Sequence, residues 1–142
     1  MNRQLERSAL FKNMYTKLLE PLCKSYGLTI MELNILIFFA ENPQYDTAAE
    51  IVKIRSFTKS HVSISVRALV ERGLLASTQR ESDRRTIELH LTELALPIVE
   101  EARKTHEYMI KVLFTGFTKE EKTQLLNMIA RIDDNIRGYL DM

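Results

Sequence analysis

Basic side chains gather in the middle of the chain, where they could neutralise a polyanion. Residues 53–85 hold eight Lys or Arg against three Asp or Glu, so this stretch carries a formal charge of +5 within a chain whose net charge is +1. The remainder is therefore −4. A clustered basic stretch is typical of nucleic-acid binding, although an unevenly charged solvated face would give the same count. The cluster predicts a nucleic-acid interface if the surrounding elements present it on one surface.

Other chemistry finds little support in the residue types. The single cysteine, Cys23, cannot form an intramolecular disulfide, and the three histidines do not stand at a zinc-binding spacing. No Gly-rich phosphate loop, pair of catalytic carboxylates or Cys–His nucleophile motif occurs in the sequence. We therefore expect no enzyme, no cofactor and no metal site. A redox role for Cys23 is an alternative, but without an adjacent base its thiol should stay mostly protonated near neutral pH.

The composition predicts one mainly helical domain over residues 1–142. The chain is 45% hydrophobic, which is too apolar for a disordered protein, and its four Gly and three Pro are too few for an all-β fold. The longest apolar run, 35–40, is far shorter than a membrane-spanning helix needs, and no apolar signal-peptide region follows the amino terminus. A cytoplasmic location is the expectation.

Helix starts are marked by capping boxes, in which Ser or Thr at the N-cap and Glu or Gln three residues later satisfy each other's backbone N–H groups. Three occur: Thr29 with Glu32, Thr47 with Glu50, and Thr118 with Glu121. They predict helices near 29–41, 47–54 and 118–140. Apolar periodicity predicts another near 3–25, in which Pro21 should cause a kink or a local break.

The basic middle of the chain reads as a helix followed by a hairpin. Thr58 should N-cap a fourth helix whose apolar stripe is Val62, Val66 and Leu69, and which ends at Gly73. Strands are predicted at 74–78 and 87–91, around a long charged tip at 79–86. A fifth helix should follow Thr92 and reach about Phe114, with Pro97 bending it or delaying its regular start.

The order of three helices, strand, charged tip and strand is that of a winged helix-turn-helix, and the chain resembles MarR-family transcriptional regulators. Matching motif residues are Leu69 to Gly73, followed by Asp83, Arg85, Leu91 and Thr92. Two positions depart from the family pattern: Ala95 replaces a usual Gly, and Ile64 stands where many members carry Arg. The resemblance implies a DNA-binding part at 29–92 and helical dimerisation parts at 1–28 and 93–142. The fold class is thus mainly α with a small β-hairpin wing, in the order α1-α2-α3-α4-β-wing-β-α5-α6.

Residues off the apolar stripe of the fourth helix are the predicted base and phosphate contacts in the major groove. They are Lys59, Ser60, His61, Ser63, Ile64 and Arg67. In the wing, the resemblance implies that Arg85 enters or flanks the minor groove and that Asp83 braces it through a charge-assisted hydrogen bond. Arg80 and Arg84 are then predicted to contact phosphates. A solvated polar face without a DNA role is the alternative for each of these residues.

The last helix carries an apolar seam at heptad-like spacing that a partner subunit should cover. Its residues are Leu125, Ile129, Ile132, Ile136 and Tyr139. The resemblance implies a homodimer on double-stranded DNA, an inverted-repeat operator, repression, and a small-molecule effector. Candidate effector-pocket residues, which could equally be core, are Met14, Tyr15, Leu18, Met31, Tyr108 and Met109. The competing function is a protein-interaction module whose basic wing docks onto an acidic partner.

Overall fold

The computed structural model describes residues 2–142, with side chains from Glu6 onwards. Its elements are α1 (Asn2–Tyr26), α2 (Ile30–Glu41), α3 (Ala48–Arg55), α4 (Lys59–Glu71), β1 (Leu75–Arg80), β2 (Asp83–Leu91), a 3-10 turn (Glu93–Ala95), α5 (Leu96–Leu113) and α6 (Lys119–Leu140). The strands form one antiparallel hairpin. Two compact units result: the first ends at His106 and the second comprises Glu107–Met142, so the division falls within α5.

All three predicted capping boxes are present and set the starts of α2, α3 and α6. At α2, for example, the Thr29 N–H donates to Glu32 Oε1 at 2.8 Å, and the Glu32 N–H donates to Thr29 Oγ1 at 3.1 Å. Each box satisfies two backbone donors that the first helical turn leaves unpaired. The predicted starts of these helices are therefore confirmed to within one residue.

The core of the first unit is built around α2, which is apolar on nearly all sides. Leu33, Ile35, Leu36 and Phe38 are almost completely buried, as expected of a helix enclosed by other elements. The structure confirms the predicted stripe on α4, where Val62 and Leu69 are fully buried and Val66 packs partly against the core. This packing fixes which face of α4 remains at the surface.

Hydropathy along the described helices gives no single candidate for a membrane span. Only α2 combined with Glu6–Tyr26 reaches the length and apolar content required, and these two segments are bent by 97° at their junction.

Of the two outcomes predicted at Pro21, the local break is wrong, because α1 continues through it to Tyr26, and the kink stays a prediction. Burial of Leu19 and Leu22 on either side of the proline anchors the helix to the core, and this packing offsets the lost backbone donor. At Pro97 the predicted delay is confirmed: a 3-10 turn precedes α5, and Pro97 is the second residue of the regular helix. A missing N–H costs little there because the first turn has no intrahelical acceptor.

The long charged tip predicted for the wing is also wrong, since β1 extends to Arg80 and β2 begins at Asp83. Gln79 pairs with Ile87, but the next residue, Arg80, pairs with Asp83. This register shift places three residues of β2, 84–86, between two successive cross-strand partners. The basic segment is thus a bulge within the hairpin, which re-aims side chains and increases local twist.

Candidate nucleic-acid interface

The turn between α3 and α4 sets the direction of the helix that carries the predicted base contacts. Ser56, the C-cap of α3, lies in the left-handed region with φ 54° and ψ 34°, a conformation that costs energy in a residue with a Cβ. The Arg55 guanidinium lies 5.3 Å from the centroid of the Phe57 ring and stabilises the turn by a cation–π contact. Thr58 is the N-cap of α4, as predicted, with an extended backbone, but its side chain makes no capping hydrogen bond.

One face of α4 is buried and the opposite face is polar, basic and exposed. Val62, Ser65 and Leu69 are on the buried face. The exposed residues include every α4 side chain predicted to contact DNA: Lys59, Ser60, His61, Ser63, Ile64 and Arg67. Ile64 is 69% exposed, which is unusual for a large aliphatic side chain in the middle of a helix whose other face is packed.

The eight basic residues of the 53–85 cluster separate into two groups. Three hold the protein together: Arg55 stacks on Phe57, Arg72 donates to the backbone carbonyls of Tyr26 and Gly27 at the end of α1, and Arg80 binds two carboxylates. The others are exposed, and none forms an ion pair within the described part of the chain. They are Lys53, Lys59, Arg67, Arg84 and Arg85. These five cations can pair with an external anion without breaking an internal ion pair.

Asp83 orders the bulge that carries the wing arginines. Its Oδ1 accepts a hydrogen bond from the Arg85 backbone N–H at 3.0 Å, and its Oδ2 accepts one from Thr86 Oγ1 at 3.1 Å. The hydrogen bond between Asp83 and Arg85 is therefore made by the Arg85 backbone N–H, and a carboxylate acceptor makes it charge-assisted. The Arg85 side chain is exposed.

Arg80 has a different environment from the other arginine predicted to contact phosphate. Its Nη2 lies 2.8 Å from Asp46 Oδ1 and its Nε lies 2.9 Å from Glu88 Oε1. The hydrogen bond from Arg80 lowers the pKa of Glu88, so this carboxylate stays ionised. Two donor nitrogens of Arg80 thus bind groups of the protein itself, while Arg84 is exposed on the bulge.

Asp46 and Glu88 did not emerge as functional residues from the sequence. Glu88 pairs with Thr78 in the hairpin, which makes it the diagonal neighbour of Arg80. The predicted first strand ended at residue 78, so the neighbouring positions of Arg80 and Glu88 were not apparent from the sequence. Asp46 is 34 positions from Arg80 in the chain, and no local pattern signals a contact at that separation.

The candidate effector residues differ in burial. Met14, Tyr15, Leu18 and Met31 are half-buried in the first unit, and Tyr15 donates to Asn34 Oδ1 at 3.0 Å. Leu18 lines a cavity of about 310 Å³ together with Leu22, Glu101 and Thr105, among others. In the second unit, Tyr108 is exposed and Met109 is buried.

Cys23 is partly buried, and burial raises the pKa of its thiol. A raised pKa reduces the thiolate fraction near neutral pH, which disfavours the redox alternative. Among the described residues, no group of His, Cys, Asp and Glu side chains is arranged to hold a metal ion.

The apolar seam of α6 lies on the surface. Every residue of this helix is at least partly exposed, and the exposed fractions of the seam residues run from 37% at Leu125 to 77% at Tyr139. Ile129, Ile132 and Ile136 lie between these values. An apolar stripe of this length is a surface that a partner would cover.

Comparison with known proteins gives a family match for part of the chain. Residues 26–86, which include α2, α3, α4 and most of the wing, match the model of the MarR family. Residues 26–86 are thus a MarR-like segment. The chain is 25% identical over 129 residues to the transcriptional regulator AdcR of Streptococcus pneumoniae, an alignment that covers 89% of this chain and 87% of AdcR. AdcR, with which this chain aligns over most of its length, is a transcriptional regulator.

Solved structures give the same fold over nearly the whole chain. A MarR-family regulator from Listeria monocytogenes in complex with a 26mer DNA is 20% identical, with a TM-score of 0.80, covering 96% of this chain and 88% of that one. BpsR of Bordetella bronchiseptica, whose DNA binding is regulated by 6-hydroxynicotinic acid, is 19% identical, with a TM-score of 0.69 and 94% of both chains covered. The predicted winged helix-turn-helix with its additional helices is therefore confirmed.

Proposed function

We propose that this protein is a MarR-family transcriptional regulator. In this proposal it is a homodimer that binds an inverted-repeat operator and represses transcription, and a small molecule controls its affinity. The observation that carries the proposal is a set of five exposed basic side chains that form no ion pair within the described residues, combined with the polar face of α4. In this reading the α4 face contacts bases and phosphates in the major groove, and Arg84 and Arg85 contact the neighbouring minor groove and its phosphates.

The proposed roles of the polar and basic residues on α4 and of Arg85 on the wing follow from their chemistry. Ser60, His61 and Ser63 are short polar side chains that can hydrogen-bond base edges, while Lys59 and Arg67 neutralise phosphates. Arg85 suits a narrow minor groove, whose enhanced negative potential attracts a guanidinium. The bulge supports this role because it holds the Arg85 backbone while leaving the side chain exposed.

Dimerisation is supported by the exposed seam of α6. A second copy would cover the same residues on both chains, giving a two-fold axis. Two-fold symmetry matches an inverted repeat whose half-sites are about one helical turn, roughly 34–36 Å, apart. The seam residues are the dimerisation contacts in this proposal.

Repression and effector control complete the proposal. A dimer bound across two half-sites would exclude polymerase from an overlapping promoter. BpsR supplies a precedent for small-molecule regulation of DNA binding within this fold. Within the first unit, the half-buried residues Met14, Tyr15, Leu18 and Met31 are the proposed lining of the effector site.

The test is selection of bound duplexes from a random DNA pool, followed by titration of the selected duplex and a scrambled one. Enrichment of an inverted repeat, bound at least 10³-fold more tightly than the scrambled duplex, is expected. A promoter carrying the selected operator should then be silenced when the protein is expressed. Equal affinity for both duplexes would exclude the operator proposal and favour the protein-interaction alternative.

A further inference from the structure

Arg80 links the wing to the loop before α3 through a network that spans distant parts of the sequence. Its guanidinium bridges Asp46, the residue before the N-cap of α3, and Glu88 on β2, at 2.8 and 2.9 Å. The Asp46 backbone carbonyl accepts a hydrogen bond from the Leu89 N–H at 2.7 Å. We call Asp46, Arg80 and Glu88 the wing clamp.

The wing clamp lies at the base of the bulge that carries the wing arginines. Arg80 is the residue of β1 at which the register shifts, and the three residues 84–86 follow its partner Asp83. An open cavity of about 740 Å³ separates this part of the wing from the start of α3, and Asp46, Arg80 and Arg85 are among its lining residues. Polar bonds around an open space, rather than close side-chain packing, therefore connect the wing to α3 here.

The surroundings of the Arg80 guanidinium suit a role in holding the wing in place better than a role in binding phosphate. Two charge-assisted bonds orient the planar guanidinium, and a phosphate oxygen approaching Arg80 would meet the negative charges of Asp46 and Glu88. The Arg80 side chain is 37% exposed and those of Asp46 and Glu88 are 30% and 26% exposed, so solvent screens the pair less than it would screen a fully exposed pair.

We propose that Arg80 is a positioning residue: the wing clamp fixes the bulge in the orientation that presents Arg84 and Arg85 to DNA. The proposal rests on the DNA-binding role given to the wing above. One consequence is that Asp46 should strengthen DNA binding although it is negatively charged, because it holds Arg80 in place.

The two possible roles of Arg80 therefore predict opposite changes in DNA affinity when Asp46 is replaced. If Arg80 contacted phosphate, Asp46→Ala would release its guanidinium, remove a negative charge and tighten binding. If the wing clamp positions the bulge, Asp46→Ala should weaken binding of the selected operator about tenfold, the loss expected when one arginine contact fails. Glu81→Ala is the matched control, because it removes the same charge from the exposed wing tip without touching the wing clamp.

Arg80→Lys distinguishes the two roles independently of net charge. One ammonium group cannot reproduce the guanidinium fork between two carboxylates, so this variant should weaken binding about as much as Asp46→Ala. A phosphate contact would tolerate the lysine. In the Arg80→Ala background, Asp46→Ala should cause no further loss, because the two residues act as one unit.

The measurement is operator titration by fluorescence anisotropy, with thermal unfolding of each variant run alongside it. Asp46→Ala binding as tightly as wild type or tighter, or Arg80→Lys binding like wild type, would overturn the wing clamp. If Asp46→Ala does not remain folded, Glu88→Gln replaces it, and an affinity equal to or above that of wild type is again the contrary result. A wild-type protein that prefers no duplex would instead refute the proposed function, so the two failures are distinguishable.

Discussion

Replacing thymine by uracil in the operator removes one methyl group from the major groove and tests what Ile64 recognises. Ile64 is 69% exposed on the α4 face that also presents Ser60, Ser63 and Arg67. An exposed isoleucine among polar side chains gains from contact with an apolar group, and the thymine C5-methyl is the apolar group that bases display in the major groove. We predict that each half-site contains a thymine whose methyl group contacts Ile64.

The magnitude follows from the exposed area. Full burial of an isoleucine side chain contributes about 1.5–3 kcal/mol, and burial of a single methyl or methylene group about 0.8 kcal/mol. Because most of the Ile64 side chain is available for burial, Ile64→Ala should cost about 1–2 kcal/mol per half-site. Uracil at the contacted position should cost about 0.8 kcal/mol, which is about a fourfold loss of affinity, or about 15-fold when both half-sites are changed.

The assay is a scan of uracil through each thymine position of the selected operator, titrated with wild type and with Ile64→Ala. Uracil keeps the hydrogen-bonding groups of thymine, so a loss confined to one position reports the methyl contact alone. That loss should vanish in the Ile64→Ala protein, because the two changes remove the same contact. Ile87→Ala is the control, since Ile87 is also exposed, at 44%, but belongs to the wing.

Two results would refute this reasoning. Uracil at every position of the half-site could leave the affinity of wild type unchanged, which would show that no methyl group is recognised. Alternatively, the loss at the sensitive position could be the same in wild type and Ile64→Ala, which would assign the methyl contact to another residue.

Further predictions concern assembly, the wing and stability. Ile132→Glu should convert the dimer to a monomer in sedimentation at micromolar concentration, and a variant that stays dimeric would contradict the α6 seam. Arg85→Ala should cost on the order of 1–3 kcal/mol of operator affinity and lower the slope of log affinity against log salt concentration by about one. Ser63→Ala should instead alter discrimination between bases with little change in that slope. Unchanged affinity, discrimination and slope in titrations over several salt concentrations would exclude these contacts. Hydrogen bonds from Thr118 lower the pKa of Glu121. The stability that ionised Glu121 contributes is therefore present above the ordinary carboxyl pKa and lost as the pH falls through the lowered pKa of the folded state. Thermal unfolding of Glu121→Gln between about pH 5 and 3 should depend less on pH than that of wild type. An unchanged pH dependence would contradict the capping role.

Local signals in the sequence were enough to predict most of the helical framework. The capping boxes depend on residues three positions apart, so Thr29, Thr47 and Thr118 identified three helix starts without knowledge of the fold. The errors arose where distant contacts decide the outcome. Burial on both sides of Pro21 keeps α1 continuous, and a register shift extends the wing strands into the charged segment.

The same distinction applies to the candidate interface. Periodicity along α4 predicted which side chains are exposed, because only one face can pack on the core. Counting charges could not separate Arg72 and Arg80, which bind groups of the protein itself, from Arg84 and Arg85, which do not pair within the described chain. Those assignments depend on partners up to 46 residues away.

The central claim is that two copies of this chain recognise an inverted repeat, and the most direct measurement is the stoichiometry and affinity of binding to the selected operator. Native mass spectrometry and titration should give two chains per duplex, at least 10³-fold weaker binding to a scrambled duplex, and a marked loss when one half-site is randomised. One chain per duplex with full affinity, or equal binding to selected and scrambled DNA at every salt concentration, would contradict it.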